Sequence, residues 1–300
     1  METLAFILVD GLIYGAWLFI VSVGLTLVYG VLNILNLAHG SFYAIGAYAA
    51  ASAVGAYLAL GGEAFPFGSY AAMILGALVV ALVLGPLIER GLLRYFYDRD
   101  HVIVVLVTYG IFLVLEDAMK LIWGVTPLYV SEPYALLGNV ELGPLFYVAY
   151  DFLVIAVAVV VGLAVWFVLN RTQRGKVVLA VIHDREMSQT MGVNVERVFM
   201  VSFTIGVFLA ALGGALTAPM ISVSPGMGVN VIILAFAVVI IGGLGSIEGA
   251  AIGALFVGLA RAASVHLLPE AELFSIYLVM AVVLVFRPEG LFQKIQARKI

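Results

Sequence analysis

The chain has 300 residues, 64% hydrophobic and 11% charged, with a formal net charge of −4 and no cysteine. Soluble domains run to about 45–50% apolar and roughly 25% charged residues, so this composition excludes an ordinary soluble fold and, with so little positive charge, a basic nucleic-acid-binding surface. The missing cysteines exclude disulfides, thiolate metal centres and a cysteine nucleophile.

The predicted elements are nine apolar segments: 4–32, 37–60, 69–88, 101–123, 146–169, 199–218, 229–243, 249–267 and 272–287. A spanning helix needs about 20 residues. The seventh and ninth fall short, so eight spans is the alternative count. Continuous apolar runs exclude a barrel, whose strands alternate over about 9–11 residues. The expected fold is an all-α polytopic helical bundle, one membrane domain over residues 1–300. The stretch METLAFILVDGLIYG lacks the basic start of a signal peptide, so the first span is expected to be retained.

Lys and Arg mark alternate loops. Arg90, Arg94 and Arg99 follow the third span, and Arg171, Arg174, Lys176, Arg185 and Arg197 follow the fifth. Arg287, Lys294, Arg298 and Lys299 follow the last, while 61–68, 124–145, 219–228 and 268–271 hold neither residue type. The positive-inside rule then places the N-terminus outside and the C-terminus in the cytoplasm, with nine crossings.

The second segment opens unusually. VLNILNLAHGSFYAIGAYAAA carries Asn33, Asn36, His39 and Ser41 inside an apolar run. A later stretch, IIGGLGSIEGAAIGALFVG, repeats its plan: Gly40-Ser41 then Ala44-Ile45-Gly46-Ala47 matches Gly245-Ser246 then Ala251-Ile252-Gly253-Ala254. Glycine-broken segments at corresponding places in two halves point to a transport path. A break frees backbone groups that lipid cannot satisfy. The four polar residues can therefore repair the break or line the path, together with Gly242, Gly243, Gly245 and Ser246.

Membrane charge is sparse. Asp10 lies near the outer end of the first span. Glu116, Asp117 and Lys120 share one face of the fourth, where Lys120 can pair at i+4 or i+3. Arg261 reads as a pore, interface or snorkelling residue, and His101 and His266 as interfacial. No two of the four histidines have metal-ligand spacing, and no P-loop, zinc-protease or serine-hydrolase motif is present. Energy for transport is thus expected from outside the chain. A stand-alone transporter or channel is the first rival. An intramembrane enzyme is a weak second, since His39 and Ser41 face different sides of a helix.

The longest cytoplasmic stretch is Asn170 to Val198. Residues 176–190 are expected as one helix with Val177, Val178, Val181 and Ile182 on its apolar face, stopped at Gly192. The loop reads either as a basic anchor fixing topology or as a docking element for a cytoplasmic partner.

Three motifs in order resemble the LivH-type permeases of branched-chain amino acid ABC transporters. They are Tyr29-Gly30, Asn33 and Asn36-x-Ala38-His39-Gly40; the loop RTQRGKVVLAVIHDREMSQTMGVNVERV with its following span; and the Gly242-Gly243-x-Gly245-Ser246 motif. The resemblance implies a bacterial or archaeal plasma-membrane importer that is not itself an enzyme. It implies a second LivM-like permease, two cytoplasmic ABC ATPases that bind ATP and Mg, and an extracytoplasmic solute-binding protein. No cofactor is then expected on this chain. Glu186-Met187-Ser188 leads to Gly192 at the spacing of the general ABC-importer loop, though its Ala-Ala is replaced. Arg174, Gly175, His183, Asp184, Glu186 and Gly192 are accordingly expected to couple to an ATPase. Relatives of this architecture are assigned to urea and short amides as well as to Leu, Ile and Val.

Overall fold

The computed structural model describes residues 2–142 and 145–292. Lys294, Arg298 and Lys299, used above for orientation, lie outside the described residues. The helices are α1 (Glu2–Leu32), α2 (His39–Ala59), α3 (Gly68–Gly91), α4 (His101–Trp123), α5 (Glu132–Ala135), α6 (Ala149–Arg171), α7 (Gln173–His183), α8 (Arg185–Thr190), α9 (Val195–Thr217), α10 (Met227–Gly242), α11 (Ile247–Leu267) and α12 (Glu272–Phe286). One antiparallel hairpin, β1 (Asn139–Leu142) and β2 (Leu145–Val148), precedes α6 in the register Asn139↔Val148.

Nine of these helices coincide with the nine apolar segments. Seven are long and apolar enough to cross a membrane. At 1.5 Å per residue, α10 and α12 span roughly 23–24 Å, less than the roughly 30 Å of a hydrocarbon core. The fifth segment begins later than its hydropathy suggests, because Leu145–Val148 pairs as a strand before α6 starts.

The loop after α6 departs from expectation. Residues 176–190 form not one helix but the end of α7 and all of α8, broken at Asp184. Asp184 is extended (φ −153°, ψ 103°), and its carboxylate accepts the Met187 N–H at 2.9 Å. An Asp that can cap a new helix competes with continuation of the old one.

The bundle centres on α1, which packs against α9, α11, α6 and α10, while α2 packs against α9, α3 and α10. The whole stretch of α1 from Leu18 to Val28 is buried. Close approach needs glycine here, since a Cβ on Gly214 would meet the Tyr43 carbonyl of α2. α6 separates the two ends of the bundle. Tyr147 stands before its first turn and the α7–α8 loop follows its last.

Candidate functional site

The first helix break is built from residues 33–38. Asn33 ends α1 in the left-handed region (φ +56°), exposed, with its N–H donating to the Tyr29 carbonyl at 2.8 Å. Asparagine is among the few residues that tolerate that conformation. Asn36 is buried, and its Oδ1 accepts the Ala38 N–H at 3.1 Å. Thr108 of α4 pins the segment from outside: its Oγ1 accepts the Leu37 N–H at 3.3 Å and lies 3.2 Å from the Leu35 carbonyl. Ser41 donates to the Phe112 carbonyl at 3.4 Å.

His39, fully buried, opens α2 and places Nε2 3.0 Å from the Val21 carbonyl. A carbonyl only accepts, so Nε2 carries the proton. Val21 stands 11 residues before the end of α1, or roughly 16 Å along the axis. The chain therefore turns back into the bundle before α2 begins. Asn36 Nδ2 and His39 Nδ1, with the hydroxyls of Ser22 and Thr26 on α1, are buried without a partner among the described residues.

The second break runs from Gly242 to Ser246. Gly243 (φ +102°) and Gly245 (φ +81°) take conformations open to glycine. Ser246 caps α11 by accepting the Gly249 N–H at 3.0 Å. The last carbonyls of α10 are satisfied by the distal chain: Leu291 donates to Ile241 at 2.9 Å and Phe292 to Gly242 at 3.0 Å. The two breaks lie against α1 but not at one place. His39 meets Gly24 and Gly245 meets Gly30, roughly 9 Å apart along the axis and about 120° apart around it.

At the loop end of the bundle, Arg174, His183, Asp184, Glu186 and Gly192 are exposed and Gly175 is buried against Val168 and Leu169. Nδ1 of His183 lies 2.8 Å from the Leu179 carbonyl within α7. Gly192 (φ +84°) turns the chain into α9. Two large apolar side chains stand bare beside them, Met187 (60% exposed) and Met191 (77%). Arg185 pairs with Asp98 at 3.1 Å and lies over the Phe199 ring, and Arg94 pairs with Glu196 at 3.1 Å. These contacts fasten α8 and the start of α9 to the loop after α3. Burial and the neighbouring Glu89 carboxylate push the Tyr97 hydroxyl well up, so it stays protonated and donates to Glu89 at 2.7 Å.

At the opposite end lies a cavity of about 460 Å³ between α1, α2, α6, α9, α10 and α11. Tyr14, Trp17 and Tyr43 supply aromatic wall, and Asp10, Asp151 and Arg261 supply charge. Arg261 pairs with Glu272 and lies 4.0 Å over the Tyr14 ring. Asp10 accepts from the Tyr147 hydroxyl at 2.7 Å and pairs with His266 at 2.6 Å, so His266 is more than interfacial. Of the fourth-span charges, Lys120 pairs with Asp117 at 2.9 Å, whereas buried Glu116 accepts the Gly226 N–H ahead of α10 at 3.1 Å. Sequence reasoning missed the cavity because Trp17, Tyr43 and Asp151 look like ordinary members of three distant apolar runs.

A family model described as "Branched-chain amino acid transport system / permease component" matches residues 7–286. The high-affinity branched-chain amino acid transport system permease protein BraD of Pseudomonas aeruginosa is 28% identical, covering 98% of this chain and 97% of its own length. LivH of Escherichia coli K12 is 27% identical over 97% of this chain and 96% of its own. A probable LivH of Methanocaldococcus jannaschii is 26% identical over 88% and 82%. With nearly the whole bundle inside that match, this chain belongs to the branched-chain amino acid transport system permease family.

Proposed function

We propose that this chain is the permease of an ABC importer for branched-chain amino acids, moving solute by alternating access driven by ATP hydrolysis on partner subunits. The observation that carries the reading is the family match over residues 7–286, joined to relatives that align over nearly their whole length. In this reading the chain crosses the plasma membrane nine times, N-terminus outside. The Lys and Arg of alternate loops support that orientation.

The partners are a second LivM-like permease, two cytoplasmic ATPases that bind ATP and Mg, and an extracytoplasmic binding protein. Residues 174–192 dock an ATPase. Support comes from the fastened but exposed α7–α8 pair with bare Met187 and Met191, since a solvated loop has little reason to expose such side chains together. The test is uptake of leucine, isoleucine, valine and urea by proteoliposomes holding the chain with its candidate partners. ATP-dependent uptake of the three amino acids and none of urea is expected. Urea uptake, or uptake by this chain alone without ATP, overturns the reading.

A further inference from the structure

The cavity at the Asp10 end holds an unusual combination. It presents both signs of charge beside an apolar wall, within the roughly 300–1,000 Å³ typical of small-molecule sites. Asp151 is the telling residue. The residue is 7% exposed, and its carboxylate accepts only from the Tyr134 hydroxyl among side chains, at 3.2 and 3.3 Å. Among the described residues no Lys, Arg or His pairs with it. A carboxylate buried without a cation is costly, and a cationic ligand group offsets that cost. Arg261 faces the same cavity with a guanidinium that keeps donors beyond its bond to Glu272. Trp17, Ile221, Val231 and Val265 line the same cavity.

The floor is closed. The Tyr43 hydroxyl and Thr217 Oγ1 are 2.6 Å apart, and Trp17 leans on Tyr43 with ring centroids 6.2 Å apart. Tyr43 is one turn beyond His39 and Trp17 one turn before Val21, so the cavity ends one helical turn above the first break.

We infer that this cavity is a solute subsite on the permease itself, taking the zwitterion of an aliphatic amino acid. The α-ammonium faces Asp151, the α-carboxylate faces Arg261, and the branched side chain lies on the apolar wall. The assignment rests on the amino-acid reading above. A neutral amide would leave the Asp151 carboxylate without a cation, so the cavity favours an amino acid over urea.

The absence of cysteine gives a clean probe. Ile221→Cys places one thiol on the cavity wall at an exposed position. Its labelling by a small methanethiosulfonate is followed in membranes containing the assembled importer without its binding protein. Leucine is expected to slow labelling. Leucinamide lacks the carboxylate and 4-methylpentanoate lacks the ammonium, and each should need roughly tenfold higher concentration or more, the value of a charge-assisted hydrogen bond. Adding Arg261→Gln should abolish the preference for leucine over leucinamide, and Asp151→Asn the preference over 4-methylpentanoate. Should Arg261→Gln fail to assemble, the three-ligand comparison in Ile221→Cys alone still decides. Equal labelling with and without leucine, in an importer that takes up leucine when its binding protein is present, overturns the subsite alone. An importer that takes up no leucine overturns the amino-acid reading and the subsite with it.

Discussion

His39, the first residue of α2, bonds through Nε2 to the carbonyl of Val21, deep within α1. One imidazole thereby fixes how far the re-entrant segment 33–38 returns into the bundle. His39→Ala should remove that donor and open a buried void, costing about 2–4 kcal/mol. Thermal unfolding of the purified permease and uptake by the assembled importer check this. A lowered Tm is expected, with uptake failing in proportion to lost assembly; lost uptake at unchanged Tm would instead assign His39 to the solute path.

Thr108 bonds to the break from outside, at Leu37 and Leu35. Thr108→Val keeps the shape and removes the hydroxyl, leaving buried backbone groups unmatched. The expected loss is about 1–3 kcal/mol. Hydrogen exchange of the 35–38 amides should quicken while exchange in α9 stays as it was.

Gly243 and Gly192 separate strain from crowding. Both have positive φ, but a Cβ at Gly243 also meets the Phe292 carbonyl, whereas Gly192 faces open space. Gly192→Ala should cost about 1–2 kcal/mol, the penalty of the left-handed region. Gly243→Ala should cost clearly more and loosen Leu291 and Phe292 from α10. Limited proteolysis near residue 290 reads out the difference.

Asp184 divides the loop after α6 into two helices. Asp184→Ala removes the cap and should cost about 0.5–2 kcal/mol locally. In the reading proposed above, ATPase activity stimulated by binding protein should fall while the permease stays assembled in the membrane. Unchanged stimulation would mean that the break at Asp184 does not matter to coupling.

Tyr134 stays a donor because burial and the Asp151 carboxylate push its hydroxyl up to about 12. Its folded-state value lies above that of the unfolded chain, near 10. The bond's contribution to stability is therefore complete below pH 10 and fades as pH rises through about 12. The Tm gap between wild type and Tyr134→Phe should be constant from pH 6 to 9 and shrink above 10.

The fold was legible because lipid demands long continuous apolar runs, and nine of them stood in the sequence. The second helix break was legible at Gly242, Gly243 and Gly245; the first was legible only in its neighbourhood, since Gly40 lies inside α2 and the break runs through the glycine-free residues 33–38. Their relation to each other was not. The likeness of α2 and α11 marked corresponding places in two halves, and only the fold shows that their breaks meet different faces of α1. The loop helix was misread across Asp184 because the apolar face of Val177, Val178, Val181 and Ile182 was extended past a residue that caps better than it propagates. Asp10, Arg261 and His266 were visible as charges without partners. Only folding brings residues 10, 147 and 266 together, or 14, 261 and 272.

The central position of α1 has a consequence for biosynthesis. Its glycines at 11 and 15 are fitted against α11, at Leu259, Ala254 and Gly258. Those partners leave the ribosome about 250 residues later, which at roughly 5–20 residues per second is on the order of ten to fifty seconds. Through that interval α1 sits in the bilayer without α11, its Ser22 and Thr26 hydroxyls facing lipid or the earlier-arriving α6, α9 and α10. A helix this apolar can wait there; one with a charge at its centre could not.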